Sequence, residues 1–367
     1  MVAEPKANPR KQSGPLSLRL LLWVTVVLAG LWTAFPPPRG IVESVYSRGI
    51  FRMIGAVLVA LQDAAPFPIG PVFLALGLIG VPLAAFALWR RRRRSGCGRL
   101  RSARPVVELL FGTAVLVYAG FLVLWGGNYR RDRVETLLEL EDAEVSAGDV
   151  TALCEYFVEV IRRDVPGDDQ VLNAEDWDPA LRDAMAQFLE DTGFPTMPLP
   201  ARVKRTPEGL FLTFGTSGML LPVFIEALTD GALPVVQHVG TAAHELAHVV
   251  GFAGEADADL VGTLAALRSS EAFLRYCGAV HGLRRAWSSL EKEDRSRLLD
   301  RLPKRCLKDL KEMRDVADRH RNETLDDLQS SFHDKFLKSQ GVSDGMRDYS
   351  RAVQLLVRAR RAKYFGS

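Results

Sequence analysis

The sequence predicts a mainly α-helical protein with a small β-sheet, in which three amino-terminal transmembrane helices precede a soluble domain. Two observations lead to this prediction. Of the 367 residues, 48% are apolar, and the long uncharged runs lie in the first third of the chain. Nearly all acidic residues and all six histidines follow residue 130. The apolar content excludes a disordered or collagen-like chain, and four cysteines are too few for a small disulfide-stabilised protein.

Three runs near the amino terminus are long and apolar enough to cross a bilayer. They cover about residues 16–35, 67–89 and 106–126, and their only charges, Arg19 and Glu108, lie near the edges. The first run is followed by three prolines rather than by a small-residue cleavage site. We therefore expect a membrane anchor and not a cleaved signal peptide.

The distribution of lysine and arginine predicts the orientation in the membrane. Eight arginines lie within residues 90–104, between the second and third runs, and the amino-terminal tail is also basic. Both segments should be cytoplasmic, and three passes then place the soluble domain, residues 128–367, outside the cytoplasm. The membrane domain, residues 1–127, includes a segment at 50–61 that we expect to lie in the interface as an amphipathic helix. The arginine run lacks interleaved aromatic and polar residues, so no nucleic-acid partner is expected.

The soluble domain shows helical periodicity with a short β segment. Helices are predicted after Asp149 and from Asp178 onward, because apolar residues recur there at spacings of three and four. Residues 209–225 are rich in glycine, threonine and large apolar residues, which predicts one or two short strands with a turn near residues 215–218. The chain after residue 284 is charged and helical, and it ends in an amphipathic helix over residues 349–360.

The cysteines leave the redox state open. Cys154, Cys277 and Cys306 fall in the predicted extracytoplasmic domain, where at most one intramolecular disulfide could form. Buried free thiols are an equally good interpretation. Cys97 lies in the predicted cytoplasmic loop. No CxxC pattern occurs, which argues against a zinc ribbon or a thioredoxin-type motif.

The residues most informative about chemistry form an HExxH motif, His244, Glu245 and His248. On a helix, positions i and i+4 lie on the same face, so both imidazoles can bind one zinc ion while Glu245 reaches the water that zinc activates. A peptidase zinc needs a third protein ligand and one open position. Gly251 can end the helix, and a following helix would return Glu255 to the metal.

Glu255 begins a second motif, ExxAD, which ends at Asp259 one helical turn later. Asp259 can accept a hydrogen bond from the ring nitrogen of a zinc-binding histidine that faces away from the metal. Asp257 is an alternative third ligand, but its shorter side chain and the ExxAD match favour Glu255. The remaining histidines stand alone in the sequence and are interpreted as structural: His238, His281, His320 and His333.

These motifs resemble those of the glutamate-zincin peptidases, in which the histidines of HExxH and a glutamate on a later helix bind zinc. The whole chain resembles an uncharacterised bacterial family of three-pass membrane proteins with this signature. The resemblance rests further on a carboxyl-terminal block over residues 332–356 and on a WG-x-NYxR motif formed by Trp125, Gly126, Asn128, Tyr129 and Arg131. It implies a zincin-like metallopeptidase domain at the cytoplasmic membrane of a bacterium. The family usually has asparagine where Asp259 stands and glutamate where Asp257 stands.

We therefore expect a membrane-anchored zinc metallopeptidase, an endopeptidase whose cofactor is Zn²⁺ and whose substrate is a peptide or protein. Zinc held by the two histidines of HExxH and by Glu255 would activate a water molecule, and Glu245 would act as the general base. Tyr349 is a candidate for assistance at the oxyanion, with an ordinary packing role as the alternative. A strand around residues 210–214 could pair with an extended substrate.

A second hypothesis is a catalytically silent membrane scaffold or receptor that keeps zinc for stability. Glu245 argues against it, because a structural zinc site needs no base and normally has a fourth protein ligand. A cysteine or a further histidine on the metal would favour it. A transporter is a weaker alternative, because the three apolar runs carry charges only near their edges.

Overall fold

The chain is predominantly helical. The computed structural model describes residues 14–168, 170, 173–339 and 348–365. Within these ranges, three short strands form a single sheet, and nearly all other regular structure is helical. The predicted fold class, mainly α with a small β-sheet and apolar helices near the amino terminus, is confirmed.

The amino-terminal part contains four apolar helices. They are α1 (Gly14–Ala34), α2 (Arg39–Asp63), α3 (Ile69–Arg94) and α4 (Arg99–Leu124). Within the described residues, α2, α3 and α4 are long and apolar enough to cross a membrane by length and composition, whereas the apolar helix Leu20–Ala34 within α1 is shorter. These three helices differ from the three predicted membrane spans in α2, for which the sequence predicts only an interfacial helix over residues 50–61. Residues Val42–Ile50 of α2 have the wider π-helical turn.

The chain divides into two compact units. One comprises the chain up to Pro37 with Leu74–Val123, and the other comprises Pro38–Phe73 and the chain from Leu124. In the first unit, the hydroxyls of Thr33 and Tyr118 form a hydrogen bond of 2.8 Å between α1 and α4. The second unit consists of α2 and the remainder, which is called the globular unit below. The sequence-based division at residue 127 assigns α2 to the membrane domain, whereas the structure packs one face of this helix on the globular unit.

The strands lie in the order β1 (Lys204–Arg205), β3 (Glu226–Thr229), β2 (Gly218–Leu221). β1 is parallel to β3, and β2 is antiparallel to it. Within the described residues, β2 is therefore an edge strand. β3 is fully buried, so the sheet forms part of the core rather than a separate layer.

Residues 210–214 do not form the expected strand but a turn that includes a short 3₁₀ helix, Leu212–Phe214. The physical reason is Asp230, which follows β3. Its carboxylate accepts hydrogen bonds from the backbone N–H groups of Gly209, Phe211 and Leu212 at 2.8, 2.7 and 3.1 Å. These bonds satisfy the backbone locally, so the segment has no need of a neighbouring strand.

In the described part of the chain, the rest of the globular unit contains nine α-helices of eight or more residues. They are α5 (Ala147–Asp164), α6 (Asp178–Asp191), α7 (Val235–Val249), α8 (Glu255–Leu267), α9 (Ala272–Ala286), α10 (Lys292–Leu299), α11 (Lys304–His320), α12 (Glu323–Ser339) and α13 (Asp348–Arg361). Ser146 caps α5, and Asp149 lies three residues inside it, in a capping box. α7 and α8 are buried along almost their whole length and form the centre of the core.

All four cysteines are free thiols, and Cys154, Cys277 and Cys306 are buried. The structure therefore supports buried thiols over a disulfide. Burial also raises the pKa of the Cys154 and Cys306 thiols to about 12, which makes them poor nucleophiles.

Candidate metal centre

The HExxH motif lies on α7, and the ExxAD motif opens α8. Pro234 immediately precedes α7, which ends at Val249. The chain reverses direction within the next few residues. Gly251 makes this reversal possible because its φ is +93°, a left-handed conformation that a side chain disfavours. α8 then begins at Glu255. The short connection returns the glutamate to the helix that carries the two histidines.

The side chains of His244, His248 and Glu255 converge. The Nε2 atom of His244 lies 3.3 Å from Oε2 of Glu255, and the Nε2 atom of His248 lies 3.8 Å from the same oxygen. One potential ligand atom from each of the three residues lies within 4.8 Å of the other two. This is the spacing expected of three ligands around one ion with bonds of about 2.0–2.2 Å.

Hydrogen bonds to the opposite ring nitrogens hold both imidazoles in this orientation. The Nδ1 atom of His244 donates to Oδ1 of Asp259 at 2.8 Å, and the Nδ1 atom of His248 donates to the carbonyl oxygen of Phe252 at 2.7 Å. Both Nε2 lone pairs are thereby presented to the same point. Metal-binding histidines characteristically donate their second N–H to a carboxylate or a carbonyl in this way.

Glu245 is buried in the site, with 4% of its surface exposed. Its Oε2 atom has no hydrogen-bond partner among the described residues. Burial raises the pKa of Glu245 to about 7, against the opposing influence of the two histidines. An unpartnered buried carboxylate oxygen is costly in a folded protein, which is typical of a group that binds something or transfers a proton. The donor set thus fits a zinc ion, with a buried carboxylate oxygen that has no partner among the described residues beside it.

Asp259 is the centre of a buried ionic cluster. Besides His244, it contacts Nε2 of His281 at 3.2 Å and the guanidinium of Arg285 at 3.0 Å. Burial alone would raise the pKa of Asp259, but Arg285 and His244 hold it well below its usual range. The carboxylate is therefore ionised and able to orient the histidine. His281, which stands alone in the sequence and is interpreted there as structural, reaches the same carboxylate from α9.

His244, Asp259 and His281 form a second group with metal-ligand spacing. Asp259 already accepts from His244 there, and Arg285 places a positive charge against the same oxygen. A cation in this position would face that charge. The group with Glu255 has no such neighbour among the described residues, so it is the better metal site.

His333 approaches the metal centre from α12. Its Nε2 atom lies 3.5 Å from Oε1 of Glu255, whereas His244 and His248 contact the other carboxylate oxygen, Oε2. His333 stands alone in the sequence and is interpreted there as structural, and the structure adds this contact with Glu255. No local pattern in the sequence indicates the contact, because it depends on the packing of a helix far along the chain.

The alternative ligand Asp257 points elsewhere. Its carboxylate accepts a hydrogen bond of 2.7 Å from Arg351 on α13, and the same guanidinium binds Glu135 at 2.6 Å. The structure therefore brings Glu255, and not Asp257, to the two histidines. Tyr349 is the second residue of α13, but its side chain lies outside the described residues, and its role stays a prediction.

The WG-x-NYxR motif packs against the metal centre. The ring of Trp125 lies edge-on to His248 at 6.2 Å and to Tyr129 at 5.1 Å between ring centroids. The pKa of Tyr129 is raised, first by burial and then by the negative charge of Glu255. The motif that carries the family resemblance thus forms one wall of the site, which its position in the sequence does not reveal.

Arg131, the last residue of that motif, binds the turn that follows α7. It donates one hydrogen bond of 3.0 Å to the carbonyl oxygen of Gly251 and two of 3.0 Å to the carboxylate of Glu43 on α2. Its guanidinium also lies over the ring of Phe252, 4.6 Å from the centroid. This buried pair joins α2 to the turn that sets the position of Glu255.

Residues 46–357 match the family model described as "Protein of unknown function (DUF3810)". The chain belongs to the DUF3810 family. The match covers most of the chain and contains every metal-centre residue named above. It confirms the expected membership of an uncharacterised family. No curated protein and no solved structure matches the chain. Membership of DUF3810 assigns no activity, so function must be argued from the site.

Proposed function

We propose that this chain is a membrane-anchored, zinc-dependent peptidase with a zincin-like catalytic domain. The observation that carries the proposal is the convergence of two histidines and one glutamate on a single point, with Glu245 buried beside it and, among the described residues, unpartnered at Oε2. His244, His248 and Glu255 would hold the ion. The set contains nitrogen and oxygen donors and no cysteine, as in catalytic rather than structural zinc sites.

Each residue of the site would have a separate role in peptide hydrolysis. The chemistry that zinc supplies at such a site is Lewis acidity, which lowers the pKa of a water molecule toward about 7. Glu245 takes the proton of the attacking water and delivers it to the amine that leaves when the peptide bond breaks. Asp259 keeps His244 in the tautomer that presents Nε2. His333 and Tyr349 are the candidates for binding the carbonyl oxygen of the substrate.

The edge strand β2 offers a place for the substrate. It starts at Gly218, where an added Cβ would come within 2.7 Å of Oε1 of Glu245. An extended peptide that pairs with Gly218–Leu221 would run past the general base, because strand pairing fixes the peptide backbone at the edge of the sheet. β2 is therefore proposed as the substrate-pairing strand instead of residues 210–214, which the sequence suggested.

The proposed location is the bacterial cytoplasmic membrane, with a cytoplasmic amino terminus and an extracytoplasmic catalytic domain. The charge asymmetry supports it, since Arg90–Arg94 end α3 and further arginines begin α4. This topology requires α1, α3 and α4 to cross the bilayer and α2 not to cross.

A silent zinc-containing scaffold or receptor is the second candidate, and His333 is the observation that favours it. A third histidine close to Glu255 could close the coordination sphere. In a closed site Glu245 would have no water to activate. Replacement of Glu245 should therefore abolish peptide hydrolysis if the chain is a peptidase and should affect only local packing if it is a scaffold.

The test is zinc content and peptide hydrolysis by the purified full chain, its Glu245→Gln variant and a Glu323→Gln control on the exposed face of α12. We expect one zinc per chain in all three and cleavage by the parent and the control only. Zinc in all three with cleavage by none, across a broad peptide library, would favour the scaffold. Absence of zinc would overturn the site assignment.

A further inference from the structure

α2 has two different faces. One face packs on the globular unit through buried side chains that include Phe51, Val59 and Gln62. The other face exposes an apolar stripe, in which Ile41, Val45, Met53, Val57 and Leu61 are each between 54 and 67% exposed. A continuous exposed apolar stripe on a soluble surface is unfavourable and indicates a covering partner.

Polar contacts hold α2 to the globular unit at both ends. Near its start, Glu43 pairs with Arg131. Near its end, the Gln62 amide donates to the carbonyl oxygen of Ile225 at 3.2 Å, and Lys204 donates to the carbonyl oxygen of Gln62 at 2.7 Å. The helix is therefore attached at both ends and not at one point.

This attachment argues that α2 does not cross the membrane, although its length and composition would allow it. Its 25 residues span about 37 Å, more than the hydrocarbon core of a bilayer. A crossing would instead place Arg48 and Arg52, which lie near the middle of the helix and are not buried, in the hydrocarbon. Charged side chains at that depth are costly unless they face a protein interior or a water-filled cavity.

We propose that α2 lies in the plane of the membrane, with its apolar stripe in the lipid and its opposite face on the globular unit. The continuity of the chain supports lipid as the partner, because α1 and α3, both apolar, flank α2 in the sequence. The first turn of α3 is held at the sheet, since the N–H groups of Ile69 and Gly70 donate to the buried carboxylate of Glu226 at 3.0 and 2.7 Å. The amino-terminal end of α3 is therefore bound to the globular unit, as α2 is.

The arrangement also points to a class of substrate, an inference that rests on the proposed peptidase function. Arg131 bridges Glu43 on α2 and the carbonyl oxygen of Gly251, in the turn between His248 and Glu255. The lipid-facing helix and the metal centre are thus joined through one buried side chain. Peptide bonds near the membrane surface, in membrane-tethered polypeptides, are the substrates that this placement favours.

The first experiment measures depth along α2 in the full chain. Single cysteines replace Val45, Met53 and Leu61 in a Cys97→Ser background, because the other three native thiols are buried. Each carries an environment-sensitive fluorophore, and the chain is reconstituted in vesicles of phosphatidylcholine and phosphatidylglycerol. Nitroxides near the headgroups and near the acyl-chain ends are the quenchers, and a label at Lys311, on a charged exposed helix, is the control.

An in-plane helix predicts that all three labels are quenched more strongly by the shallow nitroxide than by the deep one, and the control by neither. A crossing helix would place the Met53 label deep and the two end labels shallow. A helix covered by protein or by water would leave all three unquenched. Either of these profiles overturns the in-plane proposal, and neither depends on catalysis.

The second experiment compares cleavage of one randomised peptide library in two forms, free in solution and anchored to the vesicles through a palmitoyl group. Confinement to the surface should raise cleavage about 100-fold or more if the site faces membrane-proximal chains. Equal cleavage of both forms contradicts the substrate class. Cleavage of neither, together with a shallow depth profile, contradicts the peptidase proposal and leaves the membrane contact standing.

Discussion

Replacement of Glu43 by leucine should destabilise the globular unit strongly. The side chains of Glu43 and Arg131 are each 7% exposed and share two hydrogen bonds of 3.0 Å. Removal of the carboxylate leaves a buried guanidinium that keeps the carbonyl oxygen of Gly251 and the ring of Phe252 but no carboxylate contact among the described residues. Breaking a buried pair from one side costs about 3–5 kcal/mol, and this is the expected loss in the free energy of unfolding.

The reverse substitution, Arg131→Met, should cost less. Glu43 keeps a second partner, Arg48, at 3.0 Å, so its charge is not left alone. The loss is then mainly the charged hydrogen bond to Gly251, about 1–3 kcal/mol. The double variant Glu43→Leu/Arg131→Met should be more stable than Glu43→Leu alone, because it buries no unpaired charge.

Urea unfolding of the full chain in detergent, followed by tryptophan fluorescence, measures these differences. A Glu43→Leu chain within about 1 kcal/mol of the parent would refute the reasoning, since it would mean that the guanidinium is not buried as an unpaired charge. Equal losses for Glu43→Leu and Arg131→Met would also refute it, because Arg48 would then contribute nothing.

Three further predictions follow from other parts of the structure. Asp259→Ala should weaken zinc binding about 10–100-fold in chelator competition while Asp259→Asn, whose amide oxygen still accepts from His244, weakens it far less. Burial raises the pKa of Asp178 from 3.8 to about 6, so the contribution of Asp178 to folding stability is lost as the pH rises through that interval. Asp178→Asn should therefore raise the free energy of unfolding by about 1–2 kcal/mol at pH 7.5 and not at pH 4, as measured by thermal unfolding. A maleimide reagent should modify Cys97 alone in the native chain and all four cysteines after denaturation, counted by mass spectrometry.

The local parts of the site could be predicted from the sequence. The spacing of His244 and His248 fixes them on one face of a helix, and Gly251 followed by Glu255 implies a tight return. Asp259 could be assigned as the partner of a liganding histidine because it lies one turn beyond Glu255. Each of these inferences depends on helix geometry over a few residues, which the tertiary structure does not alter.

The contacts that depend on the packing of distant segments could not be predicted. His281 and His333 come to the site on α9 and α12, and nothing in their own surroundings in the sequence distinguishes them from surface histidines. The strand expected at residues 210–214 fails for a similar reason. Asp230, which binds the backbone of that segment, follows it by more than fifteen residues.

α2 shows the same limit in another form. Its apolar residues indicate an interfacial helix only over residues 50–61, because Glu43 and Arg48 interrupt the pattern at its start. In the structure, Glu43 is neutralised by Arg131, so the helix continues as far back as Arg39. The charge that breaks the sequence pattern is the one that attaches the helix to the globular unit.

The most direct test of the proposed metal centre is an anomalous difference map at the zinc edge, from crystals of the full chain grown with zinc. The account predicts one peak bonded to Nε2 of His244, Nε2 of His248 and the carboxylate of Glu255, with the fourth position open to solvent. A peak among His244, Asp259 and His281 would contradict the ligand assignment. A peak in the predicted place with His333 as a fourth protein ligand would contradict catalysis and favour the scaffold.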